Sequence, residues 1–232
     1  MPEHPLLFLV LILDWIHPAL GHWAHAYPHV LYSWLVILLL VIVGRLAAGN
    51  PTLIPGRLQN FFEVIIDGIE GFQVEMMGEE GRRYFPLIAT LGLYIFLCNL
   101  LGLIPLFYSS TANVNTNLAM ALVVFVVTHA VGLKHHGLKY IKHFTGTFWP
   151  LAPLMLPIEL ISHLSRLLSL TLRLFGNIFG EDLVLAILFM LAGKFLAPLP
   201  MMGLAIFTSF VQAFVFCLLS MLYISGSIHE AH

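Results

Sequence analysis

The stretch Ser169-Leu-Thr-Leu-Arg-Leu-Phe-Gly-Asn-Ile-Phe-Gly-Glu-Asp182 places an arginine, an asparagine and two acids in one of the most apolar parts of the chain. No acid lies three or four residues from Arg173, so its counter-charge has to come from elsewhere. An arginine at the centre of a bilayer costs about 2.5–3.5 kcal/mol on insertion scales. If this stretch lies in a membrane, Arg173 is therefore a candidate functional residue.

The composition indicates that the chain does lie in a membrane. Its 232 residues are 59% hydrophobic and 9% charged, whereas soluble domains are about 25% charged. Lipid cannot satisfy exposed backbone groups, so the chain is predicted to be an all-α integral membrane protein. No glycine-rich phosphate loop is present, and we expect no nucleotide cofactor and no nucleic-acid partner. We also expect no metal site, because the five histidines among the first 29 residues match no tight ligand spacing.

Hydropathy predicts five to six membrane helices, in a single domain over residues 27–232. The apolar run at 6–13 lacks a basic flank, so segment 1–26 is predicted to be extracytoplasmic and to contain a short helix or a membrane-surface element. The apolar segments are 27–43, 85–107, 117–133, 151–180, 183–199 and 201–225.

The basic residues predict the orientation of these helices. Positive charges concentrate in cytoplasmic loops, while the first 29 residues and loop 108–116 contain no lysine or arginine. We therefore expect the N-terminus to lie outside and the basic loops to be cytoplasmic. No organellar leader is visible, which favours a multi-pass protein of a bacterial plasma (inner) membrane. The basic loop residues are Arg45, Arg57, Arg82, Arg83, Lys134, Lys139 and Lys142.

Residues 44–84 are predicted to form a cytoplasmic connector that contains an amphipathic helix. Between Leu58 and Met77 apolar residues recur at helical spacing, and Glu63, Asp67, Glu70 and Gln73 interleave with them. Such a helix either covers the bundle at the membrane interface or docks on a partner.

A polar stripe runs along the apolar segment that contains Arg173. Its members are three or four residues apart, so at about 100° per residue they fall within roughly 120° of one helix face. They are Glu159, Ser162, Arg166, Ser169, Arg173, Asn177 and Glu181. Asp182 lies about 100° beyond Glu181. The stripe should face protein or water, either as a buried network between helices or as an ion path.

Arginine chemistry restricts what Arg173 can do in an ion path. A guanidinium does not release its proton in proteins, so Arg173 acts as a fixed positive charge rather than as a relay. Acids at both ends of the stripe suggest two aqueous half-paths separated by that charge. A lone glutamine, Gln212, lies in the uncharged run 195–228 and needs a partner, for which Arg173 and Asn177 are the natural candidates.

These residues resemble subunit a of the F-type ATP synthase, over roughly 82–223. The core motif is Arg-Leu-Phe-Gly-Asn at 173–177 within an apolar helix, preceded by Glu159 and followed by Val211-Gln-Ala-Phe214. The resemblance extends to Asn99-Leu-Leu-Gly-Leu-Ile-Pro105 and to Asn113-Val-Asn115.

The resemblance implies a stator protein with two offset half-channels, which load and unload carboxylates on a ring of c subunits and so couple the proton gradient to rotation and ATP synthesis. Its expected partners are the c-ring, the peripheral-stalk b subunits, the rest of the complex and membrane lipid. ATP chemistry then belongs to other subunits, so the chain is not an enzyme by itself. Segment 150–226 is expected to form a long, strongly tilted helix hairpin that faces the rotor.

The resemblance also implies roles for individual residues. Arg173 would be the essential arginine, with Asn177 and Gln212 as its polar neighbours. The cytoplasmic half-channel would contain Glu159, Ser162 and Ser169. Asn99 would lie on the outer side, where Glu181 and Asp182 both remain candidates for the outer acid.

One position departs from the family pattern. Some members carry a histidine seven residues before the glutamine, where this chain has Ala205. The alternative function is a stand-alone polytopic ion transporter or channel with a buried arginine. Such a protein often contains inverted repeats, and no internal repeat is visible in this sequence.

Overall fold

The computed structural model describes residues 7–16, 18–48, 56–104, 106–137, 152–192 and 198–229. Within these ranges the chain is helical and contains no strand. The α-helices are α1 (Phe8–Ile16), α2 (Pro18–Ala26), α3 (Pro28–Ala48), α4 (Arg57–Met77), α5 (Phe85–Gly102), α6 (Val114–His136), α7 (Ala152–Ala192) and α8 (Pro198–His229). Two 3₁₀ helices span Glu79–Tyr84 and Ser110–Ala112. Lys139 and Lys142 of the predicted basic loop lie outside the described residues.

Four described segments are long and apolar enough to cross a membrane, which confirms an integral membrane protein. They are Pro28–Leu46, Glu79–Gly102, Val114–His136 and Leu199–Ile228. At about 1.5 Å per residue, the 41 residues of α7 make a helix about 60 Å long. That is twice the thickness of a hydrocarbon core of about 30 Å. An α7 within the membrane must therefore tilt strongly or extend beyond the hydrocarbon.

The continuity of α7 corrects the hydropathy prediction, which separated residues 151–180 from 183–199. The structure has one helix across Gly180, Glu181 and Asp182. An isolated glycine costs a helix only about 1 kcal/mol. In addition, Glu181 receives a hydrogen bond from α8 at this point.

The main core joins the last four helices. Leu170 and Leu174 are one turn apart on α7 and both are buried, which orients this face of α7 toward α5, α6 and α8. The cluster consists of Ile95, Met120, Ala121, Val124, Leu170, Leu174, Ala213 and Phe216. α5 and α8 pack closely at Gly92, where an added Cβ would lie 2.6 Å from Cys217 Sγ.

Helix α4 is present and amphipathic, as the sequence predicted. It ends at Gly78, whose φ of 72° favours glycine. Met77 joins a second core cluster with α5, α6 and α8. Gln73 differs from its prediction as a polar-face residue. It is fully buried, and its Nε2 donates to the Gly81 carbonyl over 2.7 Å, because the 3₁₀ helix folds back over it.

Helices α1 and α2 pack against the start of α3 around Val10, Ala24 and Tyr32. The Tyr32 hydroxyl and the Phe8 N–H both donate to the Leu106 carbonyl, over 3.1 and 3.0 Å. Leu106 has φ 74°, a conformation that a branched side chain adopts only when its surroundings hold it. The described part of the N-terminal segment is therefore fastened to the loop between α5 and α6.

Candidate functional site

The polar stripe lies beside the buried face of α7, and its centre points out of the bundle. Leu174 is fully buried, and Arg173 precedes it in the helix and so points about 100° away from it. Arg173 and Ser169 are exposed, whereas Glu159, Ser162 and Glu181 are partly buried. The stripe is therefore not an internal network along its whole length.

Arg173 forms no hydrogen bond or ion pair with any residue that the structure describes. One turn to either side of it on the stripe lie Ser169 and Asn177, which are also exposed. An unpaired guanidinium thus stands on an exposed face of a helix that is otherwise mostly apolar. Such a cation requires an anionic partner or water at this position.

Two glycines, Gly176 and Gly180, follow the arginine along its side of α7. A Cβ added at Gly176 or Gly180 would meet no atom of the chain within 4 Å. Packing within the described chain therefore does not require either glycine. Small residues on an exposed membrane helix allow another helix to approach closely.

Asn177 pairs with Gln212 across the α7–α8 hairpin. The Asn177 Nδ2 donates to the Gln212 Oε1 over 2.7 Å, and Gln212 is buried. Of the two partners that the sequence suggested for Gln212, the structure thus selects Asn177. The bond lies one helical turn from Arg173 and fixes the two helices there.

Glu181 lies a further turn along α7 and is also held by α8. The Thr208 hydroxyl is 3.0 Å from Glu181 Oε2 and 3.0 Å from the Ala205 carbonyl. A hydroxyl has one proton to donate, so the two acceptors compete for it. Thr208 can donate to an ionised Glu181 and return to the backbone when that carboxyl is protonated.

Asp182, the next residue, is close enough to Tyr108 of the α5–α6 loop for its charge to act on that phenol. The pKa of Tyr108 in this loop is raised by burial and, secondarily, by the carboxylate of Asp182, against an opposing hydrogen bond from Asn113. Glu181 and Asp182 therefore have different environments, one against Thr208 and the other beside Tyr108.

Asn99 is buried behind the same loop. Its Oδ1 accepts a hydrogen bond from the Thr111 hydroxyl, and the Asn117 Nδ2 donates to the Thr111 carbonyl over 2.7 Å. The segment Ser110–Ala112 also packs against α7. Among the described residues, Asn99 makes no direct hydrogen bond to Glu181 or Asp182.

The other end of the stripe carries a second polar group. Glu159 Oε1 lies 3.2 Å from His163 Nε2, and the His163 ring meets the His129 ring of α6 at 4.8 Å between centroids. Arg166 lies over the Tyr223 ring, 5.5 Å from its centroid. His129, His163, Arg166 and Tyr223 line a cavity of about 20 Å³, which has room for about one water molecule.

The two serines of the stripe differ in their surroundings. Ser162 is partly buried, and its carbonyl accepts a hydrogen bond from the Ser165 hydroxyl over 2.8 Å. Ser169 is exposed on the side of Arg173.

Sequence reasoning missed three residues that the structure adds to these groups. His163 follows Glu159 by four residues, and Thr208 precedes Gln212 by four, so helical spacing could have found both. Tyr108 had no such signal, because its position depends on a loop that packs against α7.

Comparison with known proteins gives one consistent result. The family model of the ATP synthase A chain matches residues 30–225. The chain is 54% identical over 238 residues to ATP synthase subunit a of Syntrophobacter fumaroxidans, which covers 99% of this chain and 100% of that one. It is 55% identical to the subunit a of Desulfosudis oleivorans, over 99% and 100% of the two chains. It is 56% identical to that of Trichlorobacter lovleyi, over 99% of each.

Proposed function

This chain belongs to the ATP synthase A chain family, and from that premise we propose that it is the stator that moves protons past a ring of c subunits. The family makes it a membrane component of the ATP synthase complex rather than a catalytic subunit. The finer proposal is that two offset half-paths along α7 load and unload ring carboxylates, and that Arg173 separates them.

The observation that carries this proposal is that Arg173 is exposed on a mostly apolar helix and has no partner among the described residues. A cation in that position is stabilised by an anion that arrives from outside the chain. A carboxylate on a passing helix has the required charge, and the open space over Gly176 and Gly180 permits that helix to come close. A transporter that worked alone would instead need a counter-charge for Arg173 within its own chain.

The outer half-path would run past Asn99 to Glu181 and Asp182. These are the acids at one end of the stripe, and Glu181 is one turn from the Asn177–Gln212 bond. A proton that arrives there neutralises a ring carboxylate. The neutral carboxyl can then enter lipid, which a carboxylate cannot do cheaply.

The inner half-path would run along Asn177, Ser169, Ser162 and Glu159. When a protonated ring carboxyl returns on this side, Arg173 favours its ionised form by Coulomb attraction in a medium of low dielectric constant. The proton leaves toward Glu159. Because a guanidinium keeps its proton, Arg173 also prevents direct transfer between the half-paths. The membrane potential supplies about 2.3 kcal/mol per charge per 100 mV.

The proposed orientation has the N-terminus outside and the basic loops in the cytoplasm of a bacterial inner membrane. In this orientation Arg82, Arg83 and Lys134, which the structure describes, all lie on the cytoplasmic side of the membrane, in accord with the positive-inside rule. The partners are then the c-ring along α7 and α8 and the b subunits of the peripheral stalk.

Proton pumping by vesicles that carry the assembled complex tests this function. We expect Arg173→Ala and Arg173→Lys both to assemble and to lose ATP-driven pumping and ATP synthesis. The lysine variant keeps the charge but has neither the fork geometry nor the permanence of a guanidinium. Full coupling by Arg173→Lys would show that the arginine is only a structural charge.

A second measurement separates the stator from a stand-alone transporter. The parent chain is reconstituted without the ring, and its proton conductance is compared with that of the whole complex. The stator requires that the isolated chain conduct no better than empty vesicles. Conduction by the chain alone at the rate of the complex would favour the transporter.

A further inference from the structure

A polar cleft opens between the N-terminal helices and the α5–α6 loop, at the end of the molecule where Asp182 lies. Its volume is about 310 Å³, enough for several water molecules. It is lined by Leu7, His25, Ala26, Pro28, His29, Tyr108 and Asn113. No sequence pattern connects the N-terminal histidines with the polar stripe.

An ion pair stands at the edge of this cleft. His25 Nε2 lies 2.7 Å from Asp14 Oδ2, and the two side chains are 46% and 41% exposed. Imidazole exchanges protons near neutral pH. His25 therefore places a group that can exchange protons with water at the cleft, and Asp14 holds its ring in position.

The inner wall of the cleft is polar but uncharged. Asn113 Oδ1 accepts from the Asn115 N–H over 2.9 Å, which turns its Nδ2 toward His29 Nδ1 at 3.3 Å. His29 therefore accepts at Nδ1 and carries its proton on Nε2. Tyr108 also lines this wall, and its phenol interacts electrostatically with the carboxylate of Asp182 on α7.

Two buried amide atoms lie behind this wall without a partner. Asn99 Nδ2 and Asn117 Oδ1 have no hydrogen bond among the described residues, although the two side chains are 3% and 0% exposed. Both residues bond Thr111, and the neighbouring Ser110 hydroxyl donates to the His29 carbonyl over 3.0 Å. Buried polar groups are rarely left unpaired, and water satisfies those that protein does not. A donor and an acceptor so placed indicate water between the cleft and α7.

We propose that this cleft is the mouth of the outer half-path, with His25 and Asp14 as the pair that collects protons and Asp182 as their first acceptor on α7. The inference rests on the proposed function, because it names the entrance of the same path. Water at the mouth protonates His25, the imidazolium returns that proton to water in the cleft, and Asp182 accepts it. His25 and the cleft water end in their starting states, and one proton has moved from outside water to the Asp182 carboxylate, where an O–H bond forms.

The test uses proteoliposomes of the whole complex, with ATP synthesis driven by a proton gradient and the pH on the N-terminal side varied at constant driving force. We expect His25→Gln to slow ATP synthesis by roughly ten-fold. This is less than the loss of about 10²–10⁴-fold that is typical for a positioned proton-transfer group, because water in the cleft still carries protons to Asp182. The deficit should grow as the pH on that side rises, since free protons become scarce. The titratable groups that the described structure places around His25 include Asp14 from α1, and His29 from α3 and Tyr108 from the loop, which line the same cleft.

His22→Gln is the matched control, because His22 lies on the same helix, is exposed and does not line the cleft. It should behave as the parent does. Imidazole in the buffer should restore synthesis by His25→Gln, an outcome that a purely structural histidine would not give. Equal rates for the two glutamine variants at every pH would overturn the proposal.

A smaller change tests the cleft even if His25→Gln fails to assemble. Ala26→Cys adds one sulfur to the wall and is treated with a charged, water-soluble thiol reagent. The parent receives the same treatment, since its Cys98 is buried and its Cys217 partly buried. We expect the labelled variant to lose proton-driven synthesis. Complete labelling without loss would exclude the cleft as the entrance.

Arg173→Ala in the same vesicles separates the two proposals. If it synthesises ATP normally, the proposed function fails and the entrance has no path to serve. If it is inactive while His25→Gln and labelled Ala26→Cys work normally, only the entrance is wrong.

Discussion

Arg166 and Arg173 are the same residue type on the same helix, two turns apart, yet they have opposite environments. Arg166 is partly buried, stacks over Tyr223 and lines a cavity with His163. Arg173 is exposed and has no partner among the described residues. The described part of the chain thus provides a partner for one arginine and none for the other.

This difference shows how a structural charge can be distinguished from a functional one. A cation–π contact and polar neighbours stabilise Arg166 within the fold. Arg173 lowers the stability of the isolated chain in lipid, because nothing in the described structure offsets the cost of its charge. A residue that lowers stability and has no partner among the described residues is best explained by a partner on another chain that contacts it transiently.

The largest expected effect is a contrast between Arg173→Gln and Arg166→Gln. Removal of a preorganised charge from a path typically costs roughly 10²-fold or more in rate, so Arg173→Gln should abolish measurable ATP-driven pumping. Arg166→Gln should retain most of the pumping and lose mainly thermal stability, by about 0.5–1 kcal/mol for the contact with Tyr223. Pumping assays and thermal inactivation of the purified complex measure both. If Arg166→Gln abolished pumping and Arg173→Gln lowered only thermal stability, Arg166 would be the functional arginine and Arg173 the structural one.

Two glycines give a similar contrast, since Gly176 lies on the exposed side of α7 and Gly92 lies where α5 packs against α8. At Gly176 a new side chain meets open space, whereas at Gly92 its Cβ would lie 2.6 Å from Cys217 Sγ. We expect Gly92→Leu to destabilise the chain by about 1–3 kcal/mol through overpacking. Gly176→Leu should leave the thermal stability of the chain unchanged but lower coupled pumping, because it obstructs a neighbouring helix. Normal coupling by a fully assembled Gly176→Leu complex would show that no helix approaches there.

The smallest expected effect concerns the hydrogen bond between Asn177 of α7 and Gln212 of α8. A double-mutant cycle with Asn177→Ala and Gln212→Ala should give a coupling energy of about 0.5–1.5 kcal/mol, the net value of one hydrogen bond. The readout is the thermal inactivation midpoint of the complex. Strict additivity of the two single effects would show that the two amides do not bond in the assembled protein.

Regular periodicities were sufficient to predict much of this molecule. The 3.6-residue pattern of α4 and the hydropathy of α3, α5, α6 and α8 predicted these helices, because local spacing alone determines which residues share a face. The same spacing predicted the polar stripe on α7. The hydropathy prediction was wrong at Gly180, where it separated two segments, because the helix continues through Glu181 and Asp182.

The contacts of the site were less predictable. The sequence offered Arg173 and Asn177 as partners for Gln212, and only the hairpin geometry selects Asn177. The bond from Thr208 to Glu181 and the proximity of Tyr108 to Asp182 depend on how two helices and a loop meet. Local propensity carries no information about such long-range contacts.

The sequence by itself determined a helical membrane protein of the ATP synthase subunit a family, with an arginine among acids, amides and serines on one helix face. Composition and spacing suffice for the helices and the stripe, because both are local properties of the chain, whereas the family follows from the resemblance of the motif at 173–177 to known members. Only the tertiary structure decided which way this face turns. Leu170 and Leu174 pack into the bundle and thereby direct Arg173 outward. The packing of α1 and α2 likewise brings His25 to a cleft near Asp182, because the direction of a side chain depends on what its helix buries.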